Sequence, residues 1–357
     1  MNKTILYLAI LAVLGAGVYF LLRKDSNENP YDAREADFTI KDTGAIGRIF
    51  ITDVGGESVL VERTDSGWMV NRQYRALPST LSMLLATLTK QVPLYPVTKS
   101  AHDNVIKLMS THGIKTEIYD RAGKKLKVFY VGGGAADGKG TNMLMENGSQ
   151  PYVVETPGFV GYLTPRYSYR LRDWRDRTVF NVPASQIRSV SVTYAGKPQE
   201  SFTVVQEDND SVQVTTTSPA AKKTPLNTRR AHSYLRFFTN INCEGYLNGL
   251  EDNDTTFKTA PKHSAIELTL RNGSTQHVDI YWMALNRRSK NRKASDMPDE
   301  VHEEYDSDRM YAVMNNYRDT IMIQQLSFQN IFRRAHEFYT ADAPPPPPAQ
   351  GVTGTRP

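Results

Sequence analysis

The sequence predicts an α+β protein with two similar tandem units of mainly antiparallel strands and packed helices, after one N-terminal transmembrane helix. Two observations carry this prediction. An uncharged stretch lies near the N-terminus, and strand-like and helix-like patterns recur in the same order in both halves of the chain. The predicted divisions are a transmembrane anchor (1–23), a tether (24–44), a first α+β unit (45–175), a second α+β unit (176–335) and a Pro-rich disordered tail (336–357).

The N-terminal segment ILYLAILAVLGAGVYFLL, residues 5–22, is uncharged over eighteen positions and is long enough to span a membrane as a helix. A cleaved signal peptide is the alternative. The apolar run is longer than a usual signal core, and cleavage near Ala16 or Gly17 would leave YFLL on the product. We therefore expect an uncleaved single-pass anchor. Charge does not decide its orientation, because Lys3 on one side is matched by basic residues on the other.

Polar segments flank the predicted folded region. Residues 24–44, KDSNENPYDAREADFTIKDTG, are rich in turn-forming residues and predict a tether. Near the other end, Pro344–Pro348 are five consecutive prolines, which favour an extended, unpacked tail. Docking of this polyproline run in an aromatic groove is the alternative.

An internal repeat is indicated by two hairpin-like segments, TEIYDRAGKKLKVFYV at 116–131 and IELTLRNGSTQHVDIY at 266–281. The matched positions are Glu117 with Glu267, Arg121 with Arg271, and Gly123 with Gly273. Strand-like segments recur in order on either side. They are IGRIFI (46–51) with IRSVSV (187–192), and PYVVETPGFVGYL (151–163) with TIMIQQLSFQNIF (320–332), which aligns Phe159 on Phe328. The chain is therefore predicted to be built twice.

A helical stripe at positions i, i+3, i+4 and i+7 also recurs, formed by Leu81, Leu84, Leu85 and Leu88 and then by Ala231, Tyr234, Leu235 and Phe238. Short hairpin connections favour antiparallel pairing. In the first unit we predict strands near 46–54, 57–63, 67–70, 115–121, 124–132, 141–147 and 151–156, and helices near 78–90 and 101–111. Residues 167–183 bridge the two units.

Composition excludes some classes of function. The 43 basic and 38 acidic residues leave a net charge of +5, which is not the concentrated basic field of a nucleic-acid-binding protein. The lone cysteine, Cys243, cannot form an internal disulfide or a multi-cysteine metal site, and is interpreted as a small core residue.

The chain resembles the bacterial proteins grouped as domain of unknown function 4340. The resemblance rests on the N-terminal span, on IGRIFI followed by SGW at 66–68 and the leucine helix, and on LRDWRDRTVF before a fresh strand, and covers most of residues 40–335. Such proteins are membrane-tethered and are often encoded beside ABC transporters of the gliding-motility type. The resemblance implies an extracytoplasmic domain in a bacterial envelope. The family brings no catalytic residues.

A phosphate-binding loop is the sharpest chemical motif to test. In VGGGAADGKGTN, residues 131–142, Gly133, Gly138 and Lys139 have part of the required spacing. Gly140 stands where the loop needs Ser or Thr, and the following TNMLMEN is typical of a strand rather than a helix. The segment is therefore interpreted as a hairpin loop.

No catalytic, cofactor-binding or metal-binding residue is assigned, and we expect no enzyme activity and no cofactor. The histidines lack zinc-helix spacing. His302, in DEVHEEYDSD, is interpreted as part of a solvated acidic loop rather than as a weak cation site. The alternating charges at 172–177 are interpreted as local ion pairing around a packed Trp174, not as a nucleic-acid site.

The connection NRRSKNRKASDMPDEVHEEYDSD, residues 286–308, breaks the symmetry of the repeat. It is basic, then acidic, and its length is typical of a functional or disordered loop. Two interpretations stay open: a surface loop whose opposite charges neutralise each other, and an element that docks to a partner. The candidate partner contacts are Arg287, Arg288, Lys290, Arg292, Lys293, Glu300, Glu303 and Glu304.

The expected function is that of a non-enzymatic, membrane-tethered scaffold or accessory protein of a bacterial envelope complex. The expected location is the inner membrane, with a single-pass anchor and the main domain in the periplasm. Expected partners are the membrane and other envelope proteins, with an ABC transporter implied by the resemblance, and no nucleic acid. The alternative is an envelope glycan- or peptide-binding module, for which Tyr and Trp exposed on one sheet face are the discriminating sign.

Overall fold

A computed structural model describes residues 35–207, 211–249, 259–285, 305–315 and 318–340. The chain divides into two compact units, Met1–Asp176 and Arg177–Pro357. Most of the described regular structure is antiparallel sheet with a few helices, which confirms the predicted α+β class. Within the described residues, no helix has both the length and the apolar character needed to cross a membrane. The predicted anchor, residues 1–23, lies outside them.

The first unit is built on a nine-stranded sheet with spatial order β4-β3-β2-β1-β6-β7-β8-β9-β5, in which all neighbours are antiparallel. Its strands are β1 (Ile46–Asp53), β2 (Ser58–Thr64), β3 (Gly67–Val70), β4 (Tyr74–Arg75), β5 (Val92–Pro96), β6 (Ile114–Asp120), β7 (Lys125–Gly134), β8 (Thr141–Met145) and β9 (Tyr152–Glu155). The seven predicted strands are all present. Strands β4 and β5 were not predicted.

The described part of the first unit contains three α-helices: α1 (Pro78–Lys90), α2 (Lys99–His112) and the short α3 (Leu171–Trp174). Helix α1 opens on a proline, whose missing N–H would have no partner in the first turn. The stripe Leu81, Leu84 and Leu88 is buried against the sheet, as its spacing predicted. The apolar face of α1 thus closes one side of the core.

The second unit has an eight-stranded antiparallel sheet with spatial order β13-β12-β11-β16-β17-β18-β19-β15. Its strands are β11 (Ile187–Tyr194), β12 (Phe202–Gln206), β13 (Val212–Thr216), β15 (Gly245–Tyr246), β16 (Lys262–Leu270), β17 (Thr275–Ala284), β18 (Tyr305–Met314) and β19 (Asp319–Gln324), and a separate pair joins β10 (Thr178–Phe180) to β14 (Ile241–Asn242).

Helix α4 (Thr228–Leu235) corresponds to α1, and a short α5 (Gln325–Phe328) follows β19. The Asn227 side chain caps α4 by accepting a hydrogen bond from the Arg230 backbone N–H. The predicted stripe is buried here too, including Tyr234 and Phe238. Cys243 is 5% exposed and lies in the same core, as interpreted.

Eight strands follow one another in the same spatial order in the two sheets, with β1 corresponding to β11, β6 to β16 and β9 to β19. Register corresponds as well, because Ile49 lies opposite Ile118 while Val190 lies opposite Leu268. Corresponding residues of the two hairpins are 150 positions apart in the first strand and the turn. This spacing does not hold in the second strand. A bulge in β7 makes Phe129, and not the residue before it, the counterpart of Val278.

The tether and the tail are both shorter than predicted. Phe38 is fully buried, with its ring against those of Phe129 and Tyr152, so residues 36–40 belong to the first core. The 3-10 helix Ala335–Tyr339 likewise belongs to the second core. These few apolar side chains lie among polar residues in the sequence, so no hydrophobic pattern indicated that they are buried.

Candidate functional site

The eight charged residues proposed as partner contacts all lie at positions 286–304, outside the described residues. The predicted loop overlaps β18 at its end, because that strand begins at Tyr305.

The phosphate-loop resemblance fails as argued: β7 runs to Gly134 and β8 begins at Thr141, so the glycine-rich segment is the turn of an antiparallel hairpin. It does not open a helix toward a phosphate.

A different segment has the character of a contact site. Residues 156–163, TPGFVGYL, follow β9 and are here called the tip loop. Val160 is 96% exposed, Tyr162 56% and Phe159 37%. Scattered exposed apolar residues are ordinary, but three large ones on one short loop form an apolar patch of the kind that marks an interaction site.

Glycines shape the tip loop on both sides of its most exposed residue. Gly158 has φ of +80° and Gly161 has φ of +132°, a region that residues with a Cβ rarely adopt. The Phe159 N–H donates to the Thr156 carbonyl at 2.9 Å and closes a turn. The chain is therefore bent so that Val160 lies at the apex.

Hydrogen bonds fix the base of the tip loop to the sheet. The Leu163 N–H donates to Thr141 Oγ1 at 2.5 Å, and the Thr164 hydroxyl donates to the Gly132 carbonyl at 2.6 Å. Leu163 itself is fully buried in the first core. The apolar apex is thus held on a packed base, which lowers the conformational entropy lost on binding.

An arginine supports the loop from beside helix α1. The Arg166 guanidinium lies 3.9 Å from the centre of the Phe159 ring and donates to Thr87 Oγ1 at 2.8 Å. The arginine therefore orients Phe159 through a cation–π contact and places a positive charge at the base of the patch.

The β7–β8 turn lies beside the tip loop. A Cβ on Gly134 would stand 3.6 Å from Tyr162 Cβ, an ordinary packing distance. Within this turn, Asp137 accepts hydrogen bonds from the Tyr95 hydroxyl at 2.5 Å and from the Lys139 N–H at 3.0 Å. The bond to Asp137, with some burial, raises the pKa of Tyr95 to about 12. The Asp137 carboxylate is thus engaged by its neighbours.

The second unit also exposes an apolar side chain after its corresponding strand. Leu326, in helix α5, is 72% exposed. Phe328 is fully buried, in contrast to the exposed Phe159 with which the sequence alignment paired it. A helical turn therefore replaces the glycine loop here, and the predicted equivalence of the two phenylalanines is wrong.

A cavity of about 290 Å³ in the second unit has Arg230, Tyr234, Phe237, Arg333 and Glu337 in its lining. Arg333 Nη1 lies 2.9 Å from Glu337 Oε2, and Arg230 donates to the Glu337 carbonyl at 2.7 Å. These contacts bind the 3-10 helix at 335–339 to α4. The arrangement explains the packing of the last described residues without invoking a ligand.

Two other polar groups of the second unit are structural by their surroundings. Asp279 is 1% exposed and contacts Lys262 Nζ at 2.7 Å and His277 Nε2 at 3.0 Å, so its charge is compensated. His263 packs edge-on against Trp282 and Phe332. Burial, with a smaller effect of Arg334, lowers the pKa of His263 to about 4, so the imidazole is neutral at pH 7.

Sequence reasoning missed the tip loop, although its signal was visible. The repeat aligned TPGF, the first four residues of this loop, with QLSF, the sequence of α5, and so gave no indication of a loop. Two glycines around apolar residues favour an irregular loop over a helix.

Trp174 is fully buried, as predicted, while the Arg175 guanidinium lies 3.8 Å from the centre of the Tyr74 ring.

The two sheets and their packed helices define a two-unit α+β protein. Residues 100–262 match the family model described as Domain of unknown function (DUF4340), a match that supports assignment to that family. The resemblance inferred from the sequence is thereby confirmed, over a shorter region than expected, from helix α2 to the start of β16. No match was found among curated proteins or among solved structures.

Proposed function

We propose that this protein is a membrane-tethered, extracytoplasmic scaffold or accessory protein of a bacterial envelope complex. Its observational support is the tip loop, an exposed apolar surface on a packed base, of the kind that marks a contact with a protein or a membrane. The uncharged run at 5–22 supplies the anchor, and the first core begins near Ala36, a short distance along the chain. Partners in this proposal are other envelope proteins, including an ABC transporter.

The proposed role is non-enzymatic, and the two units are proposed to derive from one duplicated ancestor. The shared strand order and register favour duplication, since independent sheets of eight strands have many other orders available. The described residues of each unit pack around a hydrophobic core, which suits a scaffold.

A glycan-binding module is less well supported. Its expected sign is aromatic side chains exposed on a sheet face. Among the described residues, the two most exposed aromatic side chains are Tyr162 and Phe159, both on the tip loop. A protruding loop suits a contact with a surface better than the concave binding of a saccharide.

Topology is the first test. We expect alkaline phosphatase fused after Thr340 to be active, because the proposal places the fusion point outside the cytoplasm. The matched control is the same fusion lacking residues 5–22, which should lose activity. An inactive fusion at Thr340, together with an active cytoplasmic reporter at the same point, would contradict the proposed location.

A further inference from the structure

We propose that the tip loop docks into the surface of the lipid bilayer that holds the anchor. This inference rests on the proposed function, because it takes the membrane from the predicted anchor at residues 5–22. It assigns the loop a partner: the headgroup and upper acyl region of the lipid, entered by Phe159, Val160 and Tyr162.

The shape of the patch favours lipid over a protein surface. Val160 is almost fully exposed, and the partly exposed Phe159 and Tyr162 flank it in the same short loop. A stable protein interface needs on the order of 1,000 Å² of buried surface with good complementarity. A bilayer needs no complementary shape and accepts a convex apolar tip.

The chemistry of the loop suits the membrane interface. Aromatic rings prefer the boundary between headgroups and acyl chains, and basic side chains attract anionic lipids. Arg166 lies against Phe159, and Lys139 lies in the adjacent turn. Two acidic residues lie in adjoining segments: Asp137, which is engaged by Tyr95, and Glu155, at the end of β9.

Part of the backbone of the tip loop is already hydrogen-bonded within the protein. The Phe159 and Leu163 N–H groups both donate hydrogen bonds within the protein. An N–H or carbonyl group without a partner costs free energy in lipid, so these bonds reduce the cost of partial insertion.

Chain length allows the contact. Glu35 accepts hydrogen bonds from the Ser149 and Gln150 N–H groups, so the described chain begins beside the start of β9. Residues 151–160 span at most about 36 Å from there to the apex, and residues 23–34 reach at most about 43 Å from the predicted anchor. The tip can therefore reach the same bilayer.

The test uses full-length protein in vesicles of phosphatidylethanolamine and phosphatidylglycerol. Cys243→Ala removes the native thiol, and Val160→Cys carries an environment-sensitive NBD fluorophore. Ala122→Cys is the matched control, because it is exposed in the β6–β7 turn at the opposite end of β7. We expect a blue shift and quenching by spin-labelled lipid at position 160, and water-like emission at position 122.

Flotation of the vesicles separates the two proposals. Protein that fails to float with lipid contradicts the anchor, and with it the proposed function. Protein that floats while the label at position 160 keeps water-like emission overturns the docking of the tip loop alone. A blue shift that depends on protein concentration in detergent and is not quenched by spin-labelled lipid shows contact between copies, and also overturns it.

A second label guards against an effect of the Val160 substitution. With the fluorophore at Tyr162→Cys, Val160→Asp should abolish the blue shift, because a carboxylate at the apex opposes entry into lipid. Val160→Leu should retain it. Equal shifts in the two variants would show that the apex is not inserted.

Discussion

At the scale of single residues, Gln91 joins the N-terminal segment to the first core. Its side chain is fully buried, donates to the Phe38 carbonyl at 2.6 Å and accepts from the Tyr167 hydroxyl. The Thr39 hydroxyl donates to the Gln91 carbonyl at 2.7 Å. Gln91 thus holds Phe38 and Thr39, which the sequence predicted to be part of the tether.

Replacing this amide should therefore destabilise the first unit. Gln91→Met keeps the length of the side chain but leaves the Phe38 carbonyl and the Tyr167 hydroxyl unpaired, which costs about 2–4 kcal/mol. Chemical denaturation measures the loss. The exposed Gln73→Met is the control and should change stability by less than about 0.5 kcal/mol. Equal effects of the two substitutions would refute the role given to Gln91.

His263 makes the stability of the second unit sensitive to acid. Its pKa is about 4 when folded, because of burial and Arg334, and near the ordinary 6.5 when unfolded. The unfolded chain binds the extra proton, so this contribution is present above pH 6.5 and is lost as the pH falls toward 4. The loss is at most roughly 3 kcal/mol.

We expect His263→Phe to reduce the dependence of unfolding free energy on pH between 6.5 and 4. The aromatic neighbours Trp282 and Phe332 can pack against a phenyl ring. His112→Phe, at an exposed position, is the control for the substitution itself. Parallel curves for the His263 variant and the native protein would contradict the assignment.

At the scale of elements, the two hairpin turns have the same backbone requirement. Gly123 and Gly273 have φ of +84° and +86° at corresponding places in the two sheets. Gly123→Val and Gly273→Val should each cost about 1–3 kcal/mol, because a β-branched residue is strained there. Hydrogen exchange should rise in β6 and β7 for the first variant and in β16 and β17 for the second.

Giving the first turn the side chains of the second should change the free energy of unfolding only slightly. Ala122→Asn with Lys124→Ser gives the first turn the sequence of the second, RNGS. These positions are exposed, so we expect a change within about 0.5 kcal/mol. A loss as large as that of Gly123→Val would show that the turns are not interchangeable.

Some elements of the fold could be predicted from the sequence, and others could not. The stripe of α1 and the strands of the β6–β7 hairpin were predictable, because burial on one face imposes a period on the sequence. Strand β5, VPLYP, was missed because two prolines argue against a strand, yet this strand lies at the sheet edge, where proline is tolerated. The two glycines of the tip loop indicated an irregular segment, but the exposure of its apolar side chains depends on tertiary structure.

At the scale of the whole molecule, the segment 286–304 is the large difference between the repeated connections. The first unit joins β7 to β8 through residues 135–140 alone. A replacement must keep Tyr305, whose ring stacks on Trp282 with centroids 5.4 Å apart. We expect a short Gly-containing turn in place of 286–304 to leave the melting temperature nearly unchanged.

The same replacement should lower the yield of crosslinked protein partners in cells. A control of native length, with Arg287, Arg288, Lys290, Arg292 and Lys293 changed to Gln, tests whether charge is responsible. Contacts of exposed charges should also weaken with added salt, since screening acts within about 10 Å. An unchanged yield in both variants would reduce the segment to a solvated connection, and a large fall in melting temperature would show that it packs in the core.

The matching strand orders create a hazard of mispairing during folding. Strand β1 pairs with β6, but β16 has the same place and register in its own sheet and could compete for β1. Synthesis from the N-terminus resolves the competition, because residues 114–120 leave the ribosome long before residues 262–270 exist. Chains refolded from denaturant lose this order and face both partners at once. The direction of synthesis is then part of how a repeated sequence reaches one structure.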